Sequence, residues 1–166
     1  EVRSEPGQGT TFRILLPAAT VATAGEDHPS LPPTQKRKGR ILVMDDDDLV
    51  LLVAEEMIMQ LGHEGEYAPH GEEAVTCYRR ALAEGRPFDV VILDLTVKGG
   101  LGGEATLARL KALDPGVKAV VSSGYSDGFT IARYQEKGFT ACLSKPYTLA
   151  ELDSCLSALL PSPKKI

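Results

Sequence analysis

The sequence predicts a doubly wound α/β domain built on a five-stranded parallel sheet. Two observations predict it. Between residues 40 and 160, five short apolar runs alternate with five stretches of helical periodicity. The strongest of those runs are continuous rather than alternating, as expected of strands covered on both faces. Strict alternation of strand and helix calls for a parallel sheet with helices on either side.

The elements follow in order. Arg40–Met44 is the first buried strand. Leu49 to Leu61 carries helical spacing through Leu49, Leu52, Val53, Glu56, Met57 and Gln60, with Asp47 or Asp48 as its N-cap and Gly62 as its stop. Glu64–Ala68 is a weaker strand, and Gly71–Glu84 a helix closed by Gly85. Phe88–Leu93 is a strongly apolar strand, followed by a helix over Gly102–Leu113 that stops before Asp114-Pro115. Val117–Ser122, a helix over Asp127–Lys137 ending at Gly138, and the strand Phe139–Leu143 come next. Thr148–Leu160 is the last helix, with Thr148 and Glu151 spaced as a capping box.

The flanks differ in character. Residues 1–19 hold two β-type runs, Val2–Ser4 and Thr10–Leu16, around the turn-rich Glu5-Pro6-Gly7-Gln8-Gly9. A lone hairpin is marginal in water, so this piece is expected to be mobile or to pair with another edge. Residues 20–39 are rich in Ala, Thr, Pro, Gly and Ser and end in Lys36-Arg37-Lys38, a linker composition. Residues 161–166 are a tail.

Composition narrows the function. With 166 residues, 43% of them hydrophobic, the chain can bury a real core. A net charge of -5 argues against nucleic acid as a partner. No run approaches a membrane span and no secretion signal opens the chain, so no membrane contact is expected. Cys77, Cys142 and Cys155 form no pairable set, which points to a reducing, cytoplasmic setting. His28, His63 and His70 have no partner at ligand spacing and read as surface residues.

Ligands of open α/β sheets bind beyond the carboxyl ends of the strands. At those ends stand Asp45, Asp46, Asp47 and Asp48, then Asp94, then Ser122 and Ser123, then Lys145. Clustered carboxylates repel, and a hard divalent cation such as Mg²⁺ relieves them. A carboxylate can also accept a phosphoryl group as nucleophile, with a lysine and a hydroxyl to hold the charge. Each residue alone is commonplace, whereas their conjunction at four strand ends is not.

The segment 40–160 resembles a response-regulator receiver domain. The resemblance rests on Ile41-Leu42-Val43-Met44-Asp45-Asp46, Asp89-Val90-Val91-Ile92-Leu93-Asp94-Leu95, Val120-Val121-Ser122-Ser123-Gly124-Tyr125 and Leu143-Ser144-Lys145-Pro146-Tyr147. It implies a flavodoxin-like (βα)₅ sheet of order 2-1-3-4-5. It implies Asp94 as phosphoacceptor, with Mg²⁺ held by Asp46, Asp94 and the backbone carbonyl of Thr96, and by Asp45 directly or through water. Ser123 would be the switch hydroxyl, Lys145 the partner of the phosphoryl group, and Lys145–Pro146 a cis bond. Thr96 and Tyr125 would tune the phosphoryl lifetime. Two departures stand out: Lys98 replaces a usual proline, and Cys142 stands where the family carries its switch aromatic.

The string Ser4-Glu5-Pro6-Gly7-Gln8-Gly9-Thr10-Thr11-Phe12-Arg13-Ile14-Leu15-Leu16-Pro17 resembles the end of a histidine-kinase ATP-binding domain. A hybrid sensor histidine kinase is thereby implied as parent, with this piece itself no kinase. The phosphodonor would be a histidine kinase, its own parent chain, and the relay partner a histidine phosphotransfer protein. With the sequence ending at Ile166, a DNA-binding output is not expected. Two rivals remain: a non-phosphorylated pseudo-receiver used for docking or dimerisation, and a phosphatase or phosphotransferase acting on small metabolites, against which stands the lack of a second acid in Leu95-Thr96.

Overall fold

The computed structural model describes residues 2–15, 38–124 and 131–160, with the side chains of 131 and 132 excepted. The chain divides into two compact units, Glu1–Thr34 and Gln35–Ile166. In the first, β1 (Val2–Glu5) and β2 (Gly9–Phe12) form an antiparallel hairpin in the register Val2↔Phe12 to Glu5↔Gly9. Gly7 and Gly9 close it at φ of 80° and 90°, a left-handed conformation that glycine adopts without a Cβ clash. Both strands are exposed along their whole length. The second strand ends at Phe12, short of the expected Leu16, which lies outside the described residues.

In the second unit, β3 (Arg40–Met44), β4 (Glu64–Ala68), β5 (Val90–Asp94), β6 (Ala119–Ser123) and β7 (Ala141–Ser144) form a parallel sheet of order β4-β3-β5-β6-β7. Counted from β3, that is the expected 2-1-3-4-5. Helices α1 (Asp48–Gln60), α2 (Gly71–Ala83), α3 (Gly103–Leu113), α4 (Ile131–Glu136) and α5 (Leu149–Leu159) alternate with the strands. Residues of α1 and α5 pack on one face of the sheet against Ile41, Val43, Ile92 and Val120. Residues of α2, α3 and α4 pack on the other against Leu42, Met44, Leu93 and Val121. Every residue of β5 and β6 is buried, which is why these strands are apolar without alternation.

Local chemistry sets the boundaries. Asp47 is the N-cap of α1, its side chain accepting from the Leu49 N–H. Thr148 and Glu151 form the capping box of α5. Gly62, Gly85 and Gly138 all lie at positive φ just past helix ends. β5 begins at Val90 rather than Phe88, because Asp89 caps the strand edge: its N–H donates to the Arg40 carbonyl and its carboxylate accepts the Arg40 N–H at 2.9 Å. The start of the expected helix over 127–137 lies outside the described residues, as do the linker beyond residue 15 and the tail.

His63 departs from the surface reading. It is buried, and its Nδ1 accepts the Gly39 N–H at 3.1 Å, fixing the chain's entry into β3. His70 is partly exposed and caps α2 by accepting the Glu73 N–H, while His28 lies outside the described residues.

Candidate functional site: a carboxylate cleft at the strand ends

β3 and β5 are neighbours in the sheet, so the residues that leave their carboxyl ends converge. Asp94 is the last residue of β5, and Asp45 follows β3 directly. Asp45, Asp46 and Asp94 each offer an oxygen, and these oxygens all lie within 4.8 Å of one another. Asp45 and Asp94 are buried, whereas Asp46 faces solvent. The Lys145 ammonium reaches in from the end of β7, donating to Asp45 and to Asp94 Oδ1, the latter at 2.7 Å. The Lys145–Pro146 peptide is cis, as expected.

Backbone amides aim the carboxylates. The Thr96 N–H donates to Asp94 Oδ2 at 3.0 Å, the Asp47 N–H to Asp45 Oδ1 at 3.2 Å, and the Lys98 N–H to Asp46 Oδ2 at 3.1 Å. Each holds a side chain that would otherwise turn freely away from its neighbours' charge. The resulting cleft, about 520 Å³, is also lined by Asp48, Leu49 and Val50.

Burial pushes the Asp94 carboxyl above the usual range, a shift opposed by the Lys145 hydrogen bond and charge. For Lys145, burial pulls downward, but the hydrogen bonds and charges of Asp45 and Asp94 outweigh it and hold the ammonium protonated. The site therefore keeps two buried carboxylates beside one cation, with a third carboxylate at its mouth. A set of hard oxygen donors with one open side suits a divalent cation.

Ser123 is buried, and its backbone carbonyl accepts the Lys145 N–H at 2.8 Å. Its hydroxyl lies 2.7 Å from the hydroxyl of Tyr134 on α4, a residue that sequence reasoning missed. Nothing in the residue pattern marks Tyr134, because the contact depends on how α4 docks. Ser122 is also buried, and its Oγ has no hydrogen-bond partner among the described residues. Cys142 packs partly buried against the core face that holds Tyr134. Tyr125 lies outside the described residues.

Comparison with known proteins decides the family. The response regulator receiver domain family matches residues 41–157. This chain belongs to it. The chain is similar to the sensor kinase CckA of Brucella abortus, 25% identical over 165 residues, covering 95% of this chain and 17% of that protein. It is 36% identical over 121 residues to the transcriptional regulatory protein PrrA of Mycobacterium tuberculosis, covering 73% of this chain and 49% of that one. It therefore spans half or less of these two relatives. A CheX–CheY–BeF₃–Mg complex from Borrelia burgdorferi has the same fold at a TM-score of 0.65 and 22% identity, over 74% of this chain and 90% of that one.

Membership makes this a receiver of the two-component type, a class that takes part in phosphorelay and interacts with histidine kinases or phosphotransfer proteins. The family match does not favour the non-phosphorylated docking module. Among the described residues, no helix is long and apolar enough to cross a membrane.

Proposed function

We propose that residues 40–160 accept a phosphoryl group from a phosphohistidine onto Asp94. The observation that carries this is the Lys145 ammonium shared between Asp94 and Asp45, within a cluster of three carboxylates. An oxygen of Asp94 attacks the phosphorus, and the O–P bond forms as the P–N bond breaks. The imidazole leaves with the electron pair and takes up a proton from solvent. Asp45, Asp46, Asp94 and the Thr96 carbonyl would hold Mg²⁺, which supplies neutralisation of the phosphoryl oxygens when bound. Lys145 carries a second positive charge to the same oxygens, and the Thr96 N–H keeps the attacking carboxylate aimed.

A phosphodonor helix has a side on which to approach. Leu49, Leu52 and Val53 of α1 are 71%, 62% and 52% exposed, and an apolar pocket lined by Leu49, Val50, Val53, Pro146 and Tyr147 adjoins Lys145. We take the partner to be a histidine kinase, the parent chain itself, with a histidine phosphotransfer protein downstream. Residues 1–19 are read as the end of a kinase ATP-binding domain, joined by the linker 20–39 to the receiver. The similarity to CckA, which runs over 95% of this chain, supports that parentage. The setting is cytoplasmic.

The test is incubation with Mg²⁺ and acetyl phosphate. A single hydroxylamine-labile phosphate in wild type, absent with EDTA and absent in Asp94→Ala, is the expected result. No loading of wild type would return the docking module to favour.

A further inference from the structure

We propose that Lys98 is a positioning residue for Mg²⁺, acting through its backbone N–H, which aims Asp46 at the cation, and not through its charge. This rests on the metal reading above. Asp46 is the exposed carboxylate of the cluster, beside the buried Asp45 and Asp94. The like charge of those two drives its side chain outward, where water would receive it. The Lys98 N–H opposes that motion, donating to Asp46 Oδ2 at 3.1 Å across 52 residues of chain. The bond occupies one oxygen and leaves the other for a cation.

The loop that carries Lys98 is held at both ends by other bonds. At its far end the Leu101 N–H donates to Glu72 Oε2 at 3.1 Å, and the Leu101 carbonyl accepts the Gly71 N–H at 3.0 Å. At its near end the Thr96 N–H donates to Asp94 Oδ2 at 3.0 Å. Loss of the Lys98 bond therefore frees Asp46 and leaves the loop in place. Thr96, whose carbonyl would complete the metal's ligands, stands two residues before Lys98. The same short stretch thus sets how far that carbonyl lies from Asp46. Hydrogen-bond partners that orient a ligating carboxylate govern metal affinity in this way.

The bond exists because residue 98 is not proline, which has no N–H to give. Proline would nevertheless fit the backbone here. Lys98 and Gly99 lie in a turn, and Gly99 has a φ of 73°, as the third residue of a type II turn does. The second residue of such a turn, here Lys98, is a position that proline commonly takes. Lys98→Pro therefore removes the amide hydrogen and the charge without displacing the chain, whereas Lys98→Ala removes the charge alone. The ammonium of a residue lining this cleft repels a divalent cation, so its loss cannot weaken binding.

The experiment titrates Mg²⁺ calorimetrically into the metal-free full chain at fixed ionic strength. Lys98→Ala should bind at least as tightly as wild type. Lys98→Pro should bind about tenfold more weakly than Lys98→Ala, the low end for such a partner because Asp46 is exposed. With acetyl phosphate, the Mg²⁺ concentration for half-maximal loading should rise by the same factor in Lys98→Pro, while the rate at saturating Mg²⁺ stays that of Lys98→Ala. A second measurement needs no proline variant. In metal-free protein, Asp46→Ala should speed exchange of the Lys98 amide by about tenfold, the worth of one ordinary hydrogen bond, and leave that of Leu101 unchanged. Equal Mg²⁺ affinity in the two Lys98 variants, or Lys98 exchange indifferent to Asp46→Ala, overturns the positioning role alone. Failure of wild type to bind Mg²⁺ overturns the metal reading and the positioning role with it.

Discussion

Removing the Lys145 ammonium exposes the charge balance of the cleft. Side-chain exposure is 22% for Lys145, 4% for Asp45 and 9% for Asp94, so the two carboxylates and the cation they share sit largely out of water. Two unit charges 4.8 Å apart, the outer limit for oxygens of this cluster, repel by roughly 3.5 kcal/mol at an effective dielectric near 20. Lys145→Ala leaves that repulsion uncompensated and opens the site to some water, which together give an expected loss of about 2–4 kcal/mol, the scale of a broken partly buried pair. Urea unfolding in EDTA measures it. Mg²⁺ should then restore more stability to the variant than it adds to wild type, because the cation no longer competes with an ammonium for the same oxygens. A loss below about 0.5 kcal/mol, or an equal Mg²⁺ effect in both proteins, would refute the charge-balance account.

Other predictions follow from single contacts. A Cβ on Gly103 would lie 2.5 Å from the Asp94 carbonyl oxygen, so Gly103→Ala should push α3 off β5. The expected cost is about 1–3 kcal/mol, together with slower phosphoryl loading, read by urea unfolding and by acetyl phosphate kinetics. The buried Tyr78 hydroxyl donates to Asp114 at 2.7 Å, so Tyr78→Phe should cost about 1–2 kcal/mol at neutral pH. Burial, and then the Asp114 carboxylate, hold the Tyr78 phenol above its ordinary value. Its contribution is therefore complete below pH about 10 and is lost as pH rises beyond that, so wild type should lose more stability at alkaline pH than Tyr78→Phe does. Thr148→Ala removes the N-cap side chain of α5 and should cost about 1 kcal/mol in thermal or urea unfolding.

Much of the fold was legible because burial on both faces forces strands such as Val90–Asp94 to be apolar without alternation, and because glycines mark the helix ends. The carboxylates and Lys145 were legible for a related reason. Strand ends are where sheets of this kind place chemistry, and charged residues directly after apolar runs stand out. What the sequence did not reveal depends on tertiary contact. His63 looks like any loop histidine until Gly39 is seen donating to it across 24 residues. Tyr134 is one more apolar position on a helix until its hydroxyl meets Ser123. The start of β5 moved by two residues, where the Asp89 side chain took over a backbone bond.

The central claim is that Asp94, among three neighbouring aspartates, takes the phosphoryl group. Borohydride reduction of protein loaded with acetyl phosphate and Mg²⁺ converts an aspartyl phosphate to homoserine, which peptide mass spectrometry locates. Homoserine at position 94, dependent on both donor and Mg²⁺, is the predicted result. Homoserine at position 45 or 46, or none at any position in protein that has remained folded, would contradict it.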